Sequence, residues 1–106
     1  MRYQQKTAKT MKAQMYNFST WVTETDPEKL LQTYEPMLRA AGFGILSITE
    51  QHFQPHGYTM LALLSESHFA IHTFPEHEQT YIELSSCIKK QYDAFLSMYS
   101  QQAQTA

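Results

Sequence analysis

"YTMLALLSESHFAIHTFPE", residues 58–76, decides how this chain folds. Its first half, Tyr58–Glu66, is an almost continuous apolar run of the kind a strand packed against a core requires. The second half, His68–Phe74, alternates. Phe69, Ile71 and Thr73 point one way, while His68, Ala70 and His72 point the other. Pro75 stops that strand, because it has no N–H to give to a ladder. Two strands separated by so few residues run antiparallel. The stretch also holds Glu66, Ser67, His68, His72 and Glu76, a concentration of hydrogen-bonding and titratable groups in a segment patterned for burial. Either the strand has a wet face or it is a reaction centre.

Working outward, "QMYNFSTWV" (14–22) and "FGILSIT" (43–49) read as strands from their aromatic and β-branched content. "TYIELSSC" (80–87) reads as another. Between the first two, Asp26 stands as an N-cap, Pro27 at the first helical position and Glu28 just inside, which starts a helix. Leu30, Leu31, Tyr34, Met37, Leu38 and Ala41 give it one apolar face, and Gly42 closes it. Pro36 is expected to kink that helix or split it. "HFQPHG" (52–57) is a turn-rich connection, and "KKQYDAFLSMYS" (89–100) is helical through Tyr92, Phe95, Leu96 and Tyr99. The order β-α-β-β-β-β-α predicts an α+β fold, a two-layer sandwich with an antiparallel sheet and helices on one face. Residues 14–100 make a single domain, with a mobile extension expected over 1–13 and a fraying tail over 101–106.

A chain of 106 residues supports one domain with one modest core. A net charge of −2 on a mixed surface lacks the basic footprint of a nucleic-acid binder. No apolar run is long enough to span a bilayer, and no secretory leader is evident. One cysteine, Cys87, cannot form an internal disulfide. A cytoplasmic protein is the simplest inference.

His68 and His72 suggest a metal only weakly, since no HExxH helix and no Cys/His spacing set accompanies them. No metal site is expected, and His56 and His77 read as exposed turn residues. Ser67 near histidines invites a serine-hydrolase reading, but no G-x-S-x-G elbow is present.

The composite pattern is more specific than its parts. "HFQPHGYT…LLSESHFAIHTFPE" followed by "IELSSC" resembles the bacterial and archaeal S-adenosylmethionine decarboxylase proenzymes. Glu66, Ser67, His68, Ile71, His72, Thr73, Pro75 and Glu76 stand where that pattern places them, and Cys87 follows Ser67 at the required twenty residues. The resemblance implies self-cleavage between Glu66 and Ser67, with a pyruvoyl group formed from Ser67. It implies that His72 is the processing base and that Thr59 assists. In the mature reaction, the pyruvoyl ketone would take the substrate amine as a Schiff base, and Cys87 would return a proton. Phe53 would stack on adenine and Glu76 would accept hydrogen bonds from the ribose. Decarboxylated S-adenosylmethionine for spermidine synthesis is the implied product, and a homodimer the implied assembly. Three features depart from the pattern: "CIKK" has Ile88 where relatives carry glycine, no further strand follows the last helix, and "YNFSTWVTE" (16–24) stands where relatives carry a strand with an aspartate and a glycine. The departures leave open a pyruvoyl-dependent decarboxylase of arginine or ornithine, with Glu76 or Glu83 meeting the basic side chain. They also leave open a non-processing regulatory homolog.

Overall fold

The computed structural model describes residues 12–105. Five strands form one sheet: β1 (Tyr16–Val22), β2 (Ile45–His52), β3 (Tyr58–Leu64), β4 (Ser67–Phe74) and β5 (Gln79–Ser86). Their spatial order is β1-β5-β4-β3-β2, with every neighbouring pair antiparallel. Helices α1 (Pro27–Ala40) and α2 (Lys89–Thr105) complete the fold, and a short 3-10 turn at Pro75–His77 links β4 to β5. The α+β sandwich read from the sequence is the one observed.

Alternation along the strands sorts the sheet into two unlike faces. Met60, Ala62 and Leu64 of β3, Phe69 and Ile71 of β4, and Ile82 and Leu84 of β5 are buried under the helices. Phe69 is the centre of that layer, with its ring 5.7 Å from Tyr34 of α1 and 5.8 Å from Phe95 of α2. The other face carries no helix. On it lie Asn17, Ser19 and Trp21 of β1, His68, Ala70 and His72 of β4, and Leu61 and Leu63 of β3. Trp21, Leu61 and Leu63 are more than half exposed there, at 53%, 51% and 54%.

Three local outcomes depart from the sequence reading. Pro36 does not split α1, which is continuous from Pro27 to Ala40. The N–H that proline lacks would have bonded the Gln32 carbonyl, and both residues lie on the exposed side where water can serve that carbonyl. The buried stripe of Leu30, Tyr34, Met37 and Leu38 holds the helix together from the other side. The second helix passes the expected end at Ser100 and runs to Thr105, since "QQAQ" contains good helix formers and no stop signal. Tyr58–Glu66 is not strand throughout: β3 ends at Leu64, and Ser65–Glu66 form the turn. The extension expected over 1–13 lies, for residues 1–11, outside the described residues.

Gly42 ends α1 as read. At φ 104 it lets Phe43 N–H reach the Leu38 carbonyl and its own N–H reach that of Arg39, each at 3.0 Å, the paired bonds of a Schellman cap. The chain then enters β2, whose bulge between Ile45 and Ser47 pushes Leu46 out to solvent.

Candidate active site

The chemistry-bearing residues fall into two groups, one at each end of β4. The first surrounds the β3–β4 hairpin. Leu64 pairs with Ser67, so Ser65 and Glu66 make a two-residue turn. Only the second of them has a positive φ, 60° at Glu66. That is the pattern of a type II turn, which favours glycine at this position. A glutamate held there carries strain of roughly 1–3 kcal/mol. Gly44 makes room: Ser65 N–H donates to its carbonyl at 2.9 Å, and a Cβ on residue 44 would lie 3.1 Å from Ser65 Oγ.

Immediately after the strained residue, Ser67 is buried, and its hydroxyl has two acceptors at 2.7 Å, the Glu66 carbonyl oxygen and Ser86 Oγ. Cys87 Sγ is within donating distance of the Glu66 carbonyl at 3.4 Å and of Glu66 Oε1 at 3.6 Å. One peptide bond therefore has a hydroxyl nucleophile on one side and a thiol donor to its carbonyl oxygen. Ile88, where the family pattern has glycine, does not disturb this. Among the described residues the non-glycine positive φ values belong to Glu66 and Glu78, so no left-handed backbone is required at 88. Its N–H donates to Ser86 Oγ at 2.9 Å.

The second group lines a cleft of about 240 Å³ that includes Phe53, His56, Thr59, His72, Phe74 and Glu76. Thr59 and His72 are cross-strand partners and share a hydrogen bond at 3.2 Å between Oγ1 and Nδ1. His56, expected to be a plain turn residue, has Nε2 3.3 Å from Glu76 Oε1. Gly57, at φ 112, bends the loop so that Phe53 N–H donates to its carbonyl at 2.9 Å, leaving Phe53 47% exposed. Tyr58 begins β3 here and donates to Glu50 Oε1 at 2.6 Å. Burial, followed by that hydrogen bond and the Glu50 charge, pushes its phenol well above the ordinary tyrosine range, which makes it a structural donor and not a proton carrier. Among the described residues, no three of His, Cys, Asp and Glu cluster as a metal site.

The sequence reading brought Ser67 and His72 together, and the fold does not. They are five residues apart on β4, roughly 16 Å at about 3.3 Å per residue. The odd spacing also puts Ser67 on the helix-covered face and His72 on the open one. Within one chain, the structure holds His72 out of reach of Ser67. Glu83 is likewise on the open face and accepts from Tyr81 Oη at 2.8 Å. Ser86 lies outside the residues that the sequence pattern singles out. Its signal was available, since it precedes Cys87 and its alternation from Leu84 puts it on the covered face with Ser67.

A family model described as S-adenosylmethionine decarboxylase matches residues 7–103. The chain belongs to the S-adenosylmethionine decarboxylase family. Among curated family members, S-adenosylmethionine decarboxylase proenzyme 2 of Bacillus cereus is 45% identical over 47 residues, which is 44% of this chain and 38% of that protein. The proenzyme of Persephonella marina is 40% identical over 60 residues, 57% of this chain and 45% of that protein. Each of these two matches spans less than half the length of the relative. In fold, the chain is similar to the crystal structure of the adenosylmethionine decarboxylase from Aquifex aeolicus, with a TM-score of 0.61 and 23% identity. That likeness covers 82% of this chain and 81% of the other.

Proposed function

We propose that this chain is a self-cleaving proenzyme of a pyruvoyl-dependent decarboxylase acting on S-adenosylmethionine. The observation that carries this is the Glu66–Ser67 peptide bond that follows left-handed Glu66, with the Ser67 hydroxyl 2.7 Å and the Cys87 thiol 3.4 Å from the Glu66 carbonyl oxygen. Ser67 Oγ attacks that carbonyl carbon, the C–N bond breaks, and the hydroxyl proton ends on the freed Ser67 nitrogen. The peptide becomes an ester with no change in composition. Moving from amide to ester is uphill, and release of the left-handed Glu66 offsets part of the cost. Cys87 Sγ–H stabilises the oxyanion on the way. Removal of the Ser67 α-proton then expels the Glu66 carboxylate and leaves a dehydroalanine. Water hydrolyses its imine tautomer, ammonia leaves, and the second fragment begins with the keto acyl group.

The residues present fit such a prosthetic group, because it is made from Ser67's own buried atoms and has a thiol beside it. The group supplies a ketone that acts as an electron sink for loss of carbon dioxide. Cys87, beside the group, protonates the substrate α-carbon. The cleft at the other end of β4 reaches the group from a second copy, where Phe53 offers a ring face to adenine and Glu76 accepts from ribose hydroxyls with His56 against its Oε1.

The divided site supports a homodimer. If a two-fold axis passes the open face near Ala70, a residue two positions up β4 meets one two positions down in the partner. His72 then faces the partner's His68, one residue along the strand from the partner's Ser67, so the base of each site comes from the other copy. Ala70 is small and only 3% exposed, and Leu61 and Leu63 beside it are half exposed, a surface suited to a second copy. An exposed free thiol at Cys87 suits a reducing, cytoplasmic setting.

The deciding assay measures labelled carbon dioxide released from carboxyl-labelled S-adenosylmethionine, arginine and ornithine in parallel. Release from S-adenosylmethionine alone is expected, and release from arginine or ornithine instead would overturn the substrate assignment. Phe53→Ala should raise KM by about ten- to a hundred-fold, since stacking on a base contributes about 1–3 kcal/mol. No change in KM would remove adenine from Phe53. Glu66→Gly tests the strain. Placed in an uncuttable Ser67→Ala background, it should add about 1 kcal/mol after glycine's own entropic cost, a rise of about 4–8 °C in Tm. With Ser67 intact, it should slow cleavage. A lower Tm would mean that Glu66 is held there by favourable contacts and not against strain.

A further inference from the structure

Ser67 has one hydroxyl proton and two acceptors at the same distance, and only one choice is productive. When the O–H points at the Glu66 carbonyl oxygen, the proton lies between the nucleophile and the group it must attack. When it points at Ser86 Oγ, a lone pair is free to face the Glu66 carbonyl carbon. We propose that Ser86 is the positioning residue for self-cleavage, holding the Ser67 hydroxyl in the attacking orientation. The inference rests on the self-cleavage reading above and adds to it a residue outside the family pattern matched in the sequence.

The environment of Ser86 is built for an acceptor that does not move. It is fully buried on a sheet interior, paired across β5–β4 with Ser67 and across β5–β1 with Tyr16. Ile88 N–H donates to its Oγ at 2.9 Å, occupying one lone pair and fixing the direction of the other toward Ser67. Ser86 does not serve as a base, since a hydroxyl cannot hold the proton. The proton still travels from Ser67 Oγ to the Ser67 nitrogen, and Ser86 sets where it starts.

The test follows cleavage of the full-length chain over time for the parent, Ser86→Ala and Ser86→Thr, with and without hydroxylamine, which cuts the ester but not the amide. Ser86→Ala should cleave about 100-fold more slowly, the size of loss that a misplaced reacting group produces. Hydroxylamine should not restore it, because the ester never accumulates. Ser86→Thr, which keeps the hydroxyl, should recover most of the rate. A folded Ser86→Ala chain that cleaves at the parental rate overturns the inference, as does one whose fragments return with hydroxylamine. Circular dichroism and a thermal melt establish folding. Should Ser86→Ala not fold, Ser86→Cys decides, since it keeps the shape with a weak acceptor: slow cleavage supports the role and parental cleavage overturns it. A parent that yields no fragments even with hydroxylamine overturns self-cleavage itself, and the role of Ser86 with it.

Discussion

Ser67→Ala is expected to give one uncut chain by intact-protein mass spectrometry, where the parent gives two. The parental fragments should divide between Glu66 and Ser67, and the second should be lighter by one ammonia than a serine start requires and resist Edman chemistry. The effect is all-or-none, because the substitution deletes the hydroxyl oxygen that takes the acyl group while leaving the strain of Glu66 in place. It should not unfold the chain. Ser67 loses a hydrogen bond to Ser86 at 2.7 Å, an expense of about 1 kcal/mol, while Ser86 keeps the Ile88 N–H. Phe69, Ile71 and Phe95 beneath it are untouched in the core. An uncut parent, indistinguishable from the variant, would sink the processing reading and favour a regulatory homolog that keeps the hairpin as a shape. Two fragments from the variant would mean a contaminating protease.

How far the sequence carried the reading depends on the kind of information each feature needs. Alternation in His68–Phe74 assigned the faces of β4 correctly, because side-chain direction in a strand is local. Asp26, Pro27 and Gly42 marked both ends of α1 for the same reason, and Asp26 Oδ2 does accept from Lys29 N–H at 3.0 Å. Pro36 misled, because its effect depends on whether the freed Gln32 carbonyl meets water, and that is a tertiary fact. The pairing of β1 with β5, which puts Tyr16 opposite Ser86, links residues far apart in sequence and left no local trace. The motif joined Ser67 and His72 in one reaction, although the same alternation already put them on opposite faces. The motif recorded which residues belong to one reaction; it held no information on whether they belong to one chain.

That distinction gives the second large effect. Ser67→Ala and His72→Ala chains, each purified alone, should be uncut and inactive, yet when co-expressed with different tags they should cleave and decarboxylate. The reason is the two-ended geometry. A Ser67→Ala chain keeps an intact Thr59–His72 pair with Oγ1 and Nδ1 3.2 Å apart, and a His72→Ala chain keeps an intact Glu66–Ser67 hairpin with its Cys87 donor. In a two-fold dimer these halves form one complete site and one empty of both groups. Random pairing makes half the dimers mixed, so activity should recover to about a quarter of the parental value. All fragments should carry the tag of the His72→Ala chain, the one that still has Ser67. Adding Leu61→Asp and Leu63→Asp to both chains should abolish the recovery, because two carboxylates buried on the open face oppose its pairing with a second copy. Cleavage of the His72→Ala chain by itself would remove His72 from processing. Failure of the mixed chains to recover, with both alone inactive, would place the working histidine within the same chain and require β4 to rearrange by roughly the 16 Å that now separates it from Ser67.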